Sequence, residues 1–475
     1  MTMKHNFAWA KTGFAGLMGG LAVLLSAAVS CTKDDPVAGV SDAGTNDWIY
    51  KVMTDYYLWN EDVPGKGDLD FSQSPDRFFA SLLSEQDGVK YGDGWLTFSR
   101  IEKKKEETKS ISESDSYGFE FAQYQDKEKG VYYAWVLYVL PGSPAAEAGL
   151  QRGDWIIAVG SETPNVTSAS AFYSGSATTF LLADAKREGN KVTFYKRKAI
   201  PVAASRAVED TPFLKDSVYT VGGKKIGYLV YNHFSSGPDD ESTTYDDRMK
   251  QLFAGFKAEN VSEFVLDLRY NQGGLVSCAQ LMTSLLAPAS ALGKTFCMIE
   301  HNEKQAKSNE TLLLKKNAEM GNVNLDLKRL YVLTGSVTAS ASEAVINCLI
   351  PYLTRNQITI IGEKTIGKRV GSNTFGTREN YDWLLHPITL RIFNADHEAD
   401  YADGFEPDVK IEELIIGNDL LPFGDTNETL FAEALARITG LKSRTVSAES
   451  GGAIRLAPSS LERKPVQGLV FEPEK

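Results

Sequence analysis

Strand-like and helical runs alternate through the second half of the chain, and this alternation constrains the fold more than any other feature. Short apolar runs predict strands at residues 226–234, 264–268, 330–333 and 358–361. Helical patterns lie between them at residues 249–257, 279–286 and 343–353. Strands that alternate with helices are typical of an α/β unit whose helices cross over between strands. We therefore predict an α/β core over residues 206–442, with a further strand at 387–393 and a closing helix at 427–439.

A small-residue motif follows the third of these strands and leads into a helix. It comprises residues 338–343, Thr-Ala-Ser-Ala-Ser-Glu. The free N–H groups at the start of a helix can stabilise an oxyanion formed there, so Ser340 is a candidate nucleophile. Lys368, after the next strand, is a candidate base. Ordinary helix capping by Ser340 stays open as an alternative, because serine is a favoured N-cap residue.

A turn with paired glycines follows the second strand, at residues 267–274 (Asp-Leu-Arg-Tyr-Asn-Gln-Gly-Gly). Glycine allows a left-handed backbone and a close approach of other groups. The N–H groups of Gly273 and Gly274 could therefore point into the same cleft as Ser340. A simple turn would explain the glycine pair as well.

A different pattern precedes the α/β core. It consists of Tyr-Gly-Phe-Glu-Phe at residues 117–121, a predicted strand at 131–139, and Ser-Pro-Ala-Ala-Glu-Ala-Gly-Leu at 143–150. These segments resemble a PDZ domain, which we place at residues 110–203. Such a domain can capture a terminal carboxylate with backbone N–H groups, here at Tyr117, Gly118 and Phe119, and can pair a peptide with its adjacent strand edge. The domain could instead only brace its neighbour.

Taken in order, these motifs resemble the carboxyl-terminal processing peptidases, also called tail-specific proteases. The family pattern is a PDZ domain, Asp-Leu-Arg-x-Asn-x-Gly-Gly, Ser-Ala-Ser-Ala-Ser-Glu and Gly-Glu-x-Thr-x-Gly-Lys, and residues 362–368 match the last motif. The resemblance covers residues 115–440 and the N-terminal helical segment. It implies a multidomain α/β protein with a crotonase-like core, in which Ser340 is the nucleophile and Lys368 the general base.

The chemistry implied by this resemblance needs a neutral lysine. The pKa of a free lysine is about 10.4, and burial lowers the pKa of an amine by disfavouring its charged form. Neutral Lys368 could then accept the proton of Ser340. The N–H of Ala341, together with that of Gly273 or Gly274, would hold the oxyanion.

The residues around this pair match the family pattern less closely than the pair itself. Thr338 replaces the first serine of the family motif, which is not the nucleophile. Many members carry a glutamine four residues after the lysine, whereas this chain has Ser372 followed by Asn373, and either could hydrogen-bond Lys368 instead. Glu343 is expected to orient its neighbours or simply to stabilise the helix start through the dipole.

We expect a serine endopeptidase that cleaves polypeptides and recognises C-terminal or unstructured segments, without a metal or other cofactor. Two alternatives stay open. His233 ends a predicted strand and could serve as the base in place of the lysine, although only geometry defines such a site. The chain could also be a catalytically inactive surface lipoprotein that keeps the fold as a peptide-binding scaffold.

Residues 1–31 predict a lipoprotein signal peptide. Basic residues precede an apolar stretch at 14–29, and a small residue precedes Cys31, as in bacterial lipoprotein signals. We expect export, lipidation of Cys31 and anchoring to the outer membrane of the cell envelope. The acidic run after Cys31 resembles a Bacteroidetes surface-export signal. Three further segments are predicted: a tether at 32–45, an N-terminal helical region at 46–100 and a C-terminal arm at 443–475.

Composition limits the partners. The net charge of −12, from 50 basic and 62 acidic residues, argues against a nucleic-acid surface. Besides Cys31, the cysteines are Cys278, Cys297 and Cys348, whose odd number and wide spacing predict neither a disulfide framework nor a metal site. The resemblance, rather than the composition, implies polypeptide ligands, and the sequence does not predict an oligomeric state.

Overall fold

The structure is a computed structural model, and it describes residues 41–92, 94–104, 113–189, 191–239, 242–377, 381–416, 418–441, 460–463 and 469–470. The predicted signal peptide and Cys31 lie outside the described residues, as does most of the C-terminal arm. None of the helices in the described part of the chain is both long enough and apolar enough to span a membrane.

The N-terminal region combines two helices with short strands. Its elements are α1 (Asp42–Tyr56), α2 (Pro75–Ala80), β1 (Val89–Tyr91), β2 (Gly94–Leu96) and β3 (Arg100–Lys103). Helix α1 begins with Ser41 as its N-cap, so the predicted tether at 32–45 is wrong from residue 42 onward. Its apolar residues recur at helical spacing and are buried, which explains why the segment is helical rather than extended.

The PDZ-like region is built around an antiparallel sheet. Its elements are β4 (Glu113–Ser116), β5 (Phe119–Asp126), β6 (Val131–Val139), α3 (Pro144–Glu147), β7 (Trp155–Val159), β8 (Thr178–Glu188), β9 (Lys191–Val202) and β10 (Arg206–Glu209). Strands β5 to β9 pair in chain order, which leaves β5 at one edge, and β4 pairs separately with β10. The stacked rings of Trp135 and Trp155 lie on the face that packs against Tyr270, outside this region.

The α/β region follows, and it contains the candidate catalytic motifs. Its helices are α4 (Thr244–Ala258), α5 (Val276–Leu286), α6 (Ala341–Leu353) and α7 (Thr429–Thr439). Its first strands are β11 (Phe213–Val221), β12 (Lys224–Tyr231), β13 (Glu263–Asp267), β14 (Thr295–His301), β15 (Glu310–Leu313), β16 (Leu330–Thr334) and β17 (Ile358–Gly362). The remaining strands are β18 (Val370–Ser372), β19 (Trp383–His386), β20 (Ile388–Phe393), β21 (Val409–Lys410) and β22 (Leu469–Val470).

The main sheet has the order β11-β12-β13-β16-β17-β21, and it is parallel from β12 to β21. Helices α4, α5 and α6 pack on one face and α7 on the other, so both faces of the parallel strands are covered. This confirms the α/β class and the alternation that the sequence predicted. A second sheet, ordered β15-β14-β20-β18-β22, lies beside it. The pairing of β19 with β3 joins the N-terminal region to this part of the chain.

Candidate active site

Ser340 has a backbone conformation that ordinary helix capping does not require. It precedes α6 with φ 64° and ψ −113°, whereas an N-cap residue normally has an extended backbone with negative φ. Such a conformation costs a non-glycine residue about 1–3 kcal/mol and is found mostly at functional sites. The side chain is buried. Capping alone is therefore a poor explanation for this serine.

The Glu343 carboxylate joins the two segments that carry the candidate catalytic residues. Its Oε2 accepts the N–H of Ser340 and the N–H of Lys368, each at 2.8 Å. Its Oε1 accepts the Thr365 hydroxyl at 2.5 Å and the Gly367 N–H at 2.7 Å. Burial raises the pKa of Glu343 to about 7, and these hydrogen bonds oppose that rise by stabilising the anion. The carboxylate thus holds the start of α6 against the loop after β17.

Lys368 is completely buried, and its amine has no hydrogen-bond partner among the described residues, Ser340 Oγ included. The ring of Phe98, from the N-terminal region, lies 5.1 Å from Nζ. Burial, together with the positive charge of Arg100, lowers the pKa of Lys368 to about 7, although the charges of Asp87 and Glu343 act in the opposite direction. The lysine therefore has the neutral amine that a general base needs, without the direct contact to the serine that would complete a dyad.

Neither residue predicted to replace the family glutamine contacts the Lys368 amine. Ser372 lies buried in β18, where its backbone pairs with Ile388. The side-chain oxygen of Asn373 accepts the Thr389 hydroxyl at 2.6 Å. Neither residue therefore hydrogen-bonds the Lys368 amine in this structure, so the expected support of the base by one of them is not found.

The histidine alternative finds no support either. The Nε2 atom of His233 lies 2.7 Å from the carbonyl oxygen of Asp210 and is engaged there. A base in a serine–histidine site needs a ring nitrogen directed at the nucleophile.

Asn271 connects the paired-glycine turn to the serine motif, a role that sequence reasoning missed. Its carbonyl oxygen accepts the Ala339 N–H and the Ser342 hydroxyl, each at 3.1 Å. Its side-chain amide donates to the Tyr231 carbonyl at 2.8 Å. The sequence signal was present, because an asparagine in a turn commonly accepts the backbone N–H two residues further on with its side chain.

The same asparagine determines which glycine N–H is free to donate a hydrogen bond to an oxyanion. The N–H of Gly273 donates to Oδ1 of Asn271 at 2.8 Å, so it is not available to a substrate in this structure. Gly274 has φ 140°, and a Cβ atom there would lie 2.0 Å from the Phe234 carbonyl oxygen. The expected pair of oxyanion donors is thereby narrowed to Ala341 and Gly274, whose roles stay predictions.

The proposed carboxylate-binding loop of the PDZ-like region is closed. The N–H of Tyr117 donates to the Tyr173 carbonyl and the N–H of Gly118 to the Ser116 hydroxyl, each at 2.9 Å. Phe119 is buried and pairs with β6. The prediction that Tyr117 and Gly118 capture a terminal carboxylate does not hold here, because local hydrogen bonds already satisfy both N–H groups.

Buried charges dock the PDZ-like region onto the α/β region. Arg152 donates to the Leu421 carbonyl at 2.9 Å and to the Tyr270 hydroxyl at 2.8 Å, and it forms a buried ion pair with Glu413. Glu413 also pairs with Arg269 of the paired-glycine motif. Burial would raise the pKa of Glu413, but the two guanidinium groups outweigh burial and hold it at about 2. The network links the PDZ-like region to the turn that precedes Gly274.

Comparison with known proteins agrees with this organisation. The model of peptidase family S41 matches residues 225–411, that of the peptidase S41 N-terminal domain matches residues 44–100, and that of the PDZ domain matches residues 135–172. The crystal structure of a putative S41 protease from Bacteroides fragilis NCTC 9343 is similar at 34% identity and a TM-score of 0.73, covering 83% of this chain and 97% of that one. This chain belongs to peptidase family S41.

Two curated relatives of this S41 family member are more distant. The carboxy-terminal processing protease CtpA of Bacillus subtilis (strain 168) is 28% identical over 334 residues, which cover 68% of this chain and 62% of the relative. The probable CtpA-like serine protease of Staphylococcus aureus (strain COL) is 26% identical over 312 residues, 65% of this chain and 56% of the relative. The chain therefore matches only about three fifths of the length of these curated relatives.

Proposed function

We propose that this S41 family member is a serine endopeptidase in which Ser340 is the nucleophile and Lys368 the general base. The observation that carries the proposal is the shared Glu343 oxygen, which accepts the backbone N–H of both residues at 2.8 Å. It connects a strained serine to a buried amine that has no hydrogen-bond partner among the described residues. Such a combination suits proton transfer better than a structural role.

The reaction proceeds by acyl transfer. Neutral Lys368 accepts the proton of Ser340 Oγ while this oxygen attacks the scissile carbonyl carbon. The N–H groups of Ala341 and Gly274 stabilise the oxyanion. The C–N bond then breaks, the amine leaves with the proton returned by the lysine, and water hydrolyses the acyl-enzyme. Catalytic hydrogen bonds are often long before substrate binds, so the contact between Oγ and Nζ forms in the substrate complex.

Polypeptides are the proposed substrates, and the PDZ-like region binds their C-terminal or unstructured segments. Support comes from the names of the curated relatives, which include a carboxy-terminal processing protease. Strand β5 is the edge of its sheet, so an extended peptide can add to it by backbone hydrogen bonding. This edge replaces the closed loop at Tyr117 and Gly118 as the proposed contact.

We also propose that the enzyme is exported and anchored to a membrane by a lipid. The apolar segment before Cys31 and the small residue preceding it support lipidation at this cysteine. We place the enzyme at the outer membrane, exposed on the surface of the cell envelope. Metabolic labelling with a fatty acid tests this, since Cys31→Ala is expected to abolish the label.

The inactive-scaffold alternative is not favoured. A buried amine without a hydrogen-bond partner destabilises the folded chain, and a peptide-binding scaffold gains nothing from it. Lys368 is such an amine within the described residues.

The test compares casein cleavage by the unmodified chain, Ser340→Ala and Lys368→Ala at pH 8, where the lysine is neutral. We expect cleavage by the unmodified chain only. Lys364→Ala is the matched control, because this lysine is four residues away and its side chain is 45% exposed. Activity that survives Ser340→Ala would show that another residue is the nucleophile, and an inactive unmodified chain would contradict the peptidase proposal.

A further inference from the structure

Ser460, in the described part of the C-terminal segment, contacts the edge strand of the PDZ-like sheet. The hydroxyl of Ser460 accepts the N–H of Phe121 at 2.8 Å and donates to the Glu120 carboxylate. Both partners belong to β5, the edge strand. The Phe121 N–H therefore points away from β6, in the direction from which an added peptide strand would pair with β5. Ser460 thus occupies a hydrogen-bonding position that a bound peptide needs.

The next residue contacts the turn beside the candidate oxyanion site. The carbonyl oxygen of Leu461 accepts the side-chain amide of Gln272 at 2.6 Å. Gln272 directly precedes the paired glycines of this turn. The Leu461 side chain is 2% exposed and packs in the apolar cluster that includes Trp135 and Tyr270. The segment is therefore anchored where the PDZ-like and α/β regions meet.

A second contact lies on the strand that follows Lys368. Strand β22 (Leu469–Val470) pairs in parallel with Gly371 and Ser372 of β18, and it forms the edge of that sheet. Strand β18 begins two residues after Lys368. The described C-terminal residues thus contact the edge strand β5, the turn that precedes Gly274 and the strand that follows Lys368.

We propose that the C-terminal segment, through Ser460–Arg463 and Leu469–Val470, is an intramolecular ligand of the substrate path and competes with polypeptide substrates. This inference rests on the proposed peptidase function and identifies an occupant of its binding surface. Within the described residues the segment is attached through Ser460, Leu461 and a two-residue strand, so it can open locally without unfolding the chain. Tethering keeps a competing segment at an effective concentration on the order of millimolar. Its release is expected to lower KM and leave kcat unchanged.

A binding measurement tests the competition without relying on catalysis. In the Ser340→Ala background, a chain ending at residue 459 is compared with the full chain. The probe is a fluorescein-labelled peptide with the sequence of residues 456–475, followed by fluorescence polarisation. We expect the shortened chain to bind it at least about fivefold more tightly, because the tethered competitor is gone. Equal affinity, or no binding by a shortened chain that still unfolds cooperatively, would overturn the proposal.

A full-length variant tests the same competition without truncation, in case the shortened chain misfolds. Ser460→Ala combined with Leu461→Ala removes the anchors and is expected to strengthen probe binding in the same direction. The control is Leu441→Ala, whose side chain is 58% exposed and which is expected to leave the affinity unchanged. An unchanged affinity of the double variant would also overturn the proposal.

Catalysis provides the second readout. With Ser340 intact, the shortened chain is expected to cleave casein with a KM at least about fivefold lower than that of the full chain. If neither chain cleaves casein, the peptidase function fails, whereas the probe affinities still decide whether the segment occupies the path.

Discussion

The backbone N–H of Lys368 donates a 2.8 Å hydrogen bond to the Glu343 carboxylate, at the oxygen that also accepts the N–H of Ser340. A residue one turn into α6 therefore sets the position of the loop that carries the candidate base. The link is buried, so water cannot replace it. The position of the proposed dyad and the stability of the core depend on the same side chain.

Replacing Glu343 is expected to disturb the position of the proposed dyad and to lower the stability of the core. Glu343→Ala leaves four buried donors without their acceptor, each costing about 1–3 kcal/mol when unsatisfied. We expect the free energy of unfolding to fall by at least about 3 kcal/mol, as measured by urea denaturation. Glu343→Gln is expected to have a smaller effect, because one amide oxygen can still accept two of the hydrogen bonds. Glu406→Gln, on a residue whose side chain is 71% exposed, serves as control and should change stability little. A Glu343→Ala variant as stable as the unmodified chain would contradict this role.

Catalytic activity is expected to depend on pH through the lysine. The pKa of Lys368 is lowered to about 7 by burial, and only the neutral amine can accept a proton. The rate kcat/KM should therefore rise with pH and level off above about 7. The measurement is a pH profile with an uncharged peptide substrate. A profile that still rises steeply between pH 8 and 10 would mean that the lysine keeps an ordinary pKa.

Phe98 is expected to control that pH dependence. Its ring lies 5.1 Å from Nζ, and removing it with Phe98→Ala would admit water to the amine. Hydration stabilises the charged form, so the acid limb of the profile should move to higher pH by more than about one unit. If activity fell equally at all pH values without such a shift, Phe98 would contribute to packing only and would not affect the pKa of Lys368.

The buried lysine is expected to cost stability. The pKa of Lys368 is about 7 in the folded chain, against 10.5 for an unperturbed lysine, so between these values the unfolded chain binds more protons. The stability of the unmodified chain therefore rises with pH across this window. Lys368→Met should be more stable by on the order of 4 kcal/mol at pH 7 and below, and the difference should vanish above about pH 11.

The measurement for Lys368→Met is denaturant unfolding at a series of pH values. Lys364→Met is the control, because this exposed lysine should produce no pH-dependent difference. A constant difference at all pH values would assign the effect to packing rather than to ionisation.

Gly274 is expected to tolerate no side chain. A Cβ atom would lie 2.0 Å from the carbonyl oxygen of Phe234, and backbone atoms cannot easily move aside. Gly274→Ala should destabilise the chain by several kcal/mol or displace the turn, with loss of activity. Gly255→Ala is the matched control, because Gly255 lies within α4 and, apart from neighbouring backbone of the helix itself, nothing lies within 4 Å of the added Cβ. There alanine should stabilise by about 0.5–1 kcal/mol, and thermal unfolding of both variants compares them.

Local patterns predicted the elements and most of the candidate residues. The strand at 330–333 and the helix after Ser340 follow from apolar runs and periodicity, which depend on neighbours along the chain. The predicted ends differ from the observed ends by a few residues. The start of α1 was missed because Ser41 and the glycine-containing turn after it looked like a flexible segment rather than a helix cap.

Hydrogen-bond partners were the least predictable property. The sequence placed Gly273, Gly118 and Tyr117 in motifs that bind with backbone N–H groups. In the structure, local acceptors already use those groups. A motif specifies a backbone shape, but whether its donors are free depends on the side chains that fold back onto it.

The sequence by itself determined the α/β class, the PDZ-like region, and Ser340 and Lys368 as the candidate pair, since these follow from periodicity and short motifs. Only the tertiary structure decided what surrounds the pair. Phe98 reaches the lysine from another region, and Arg152 pairs with Glu413, which is 261 residues away. Contacts of this kind arise when separated segments pack together and exclude water, and no local pattern along the chain encodes their geometry.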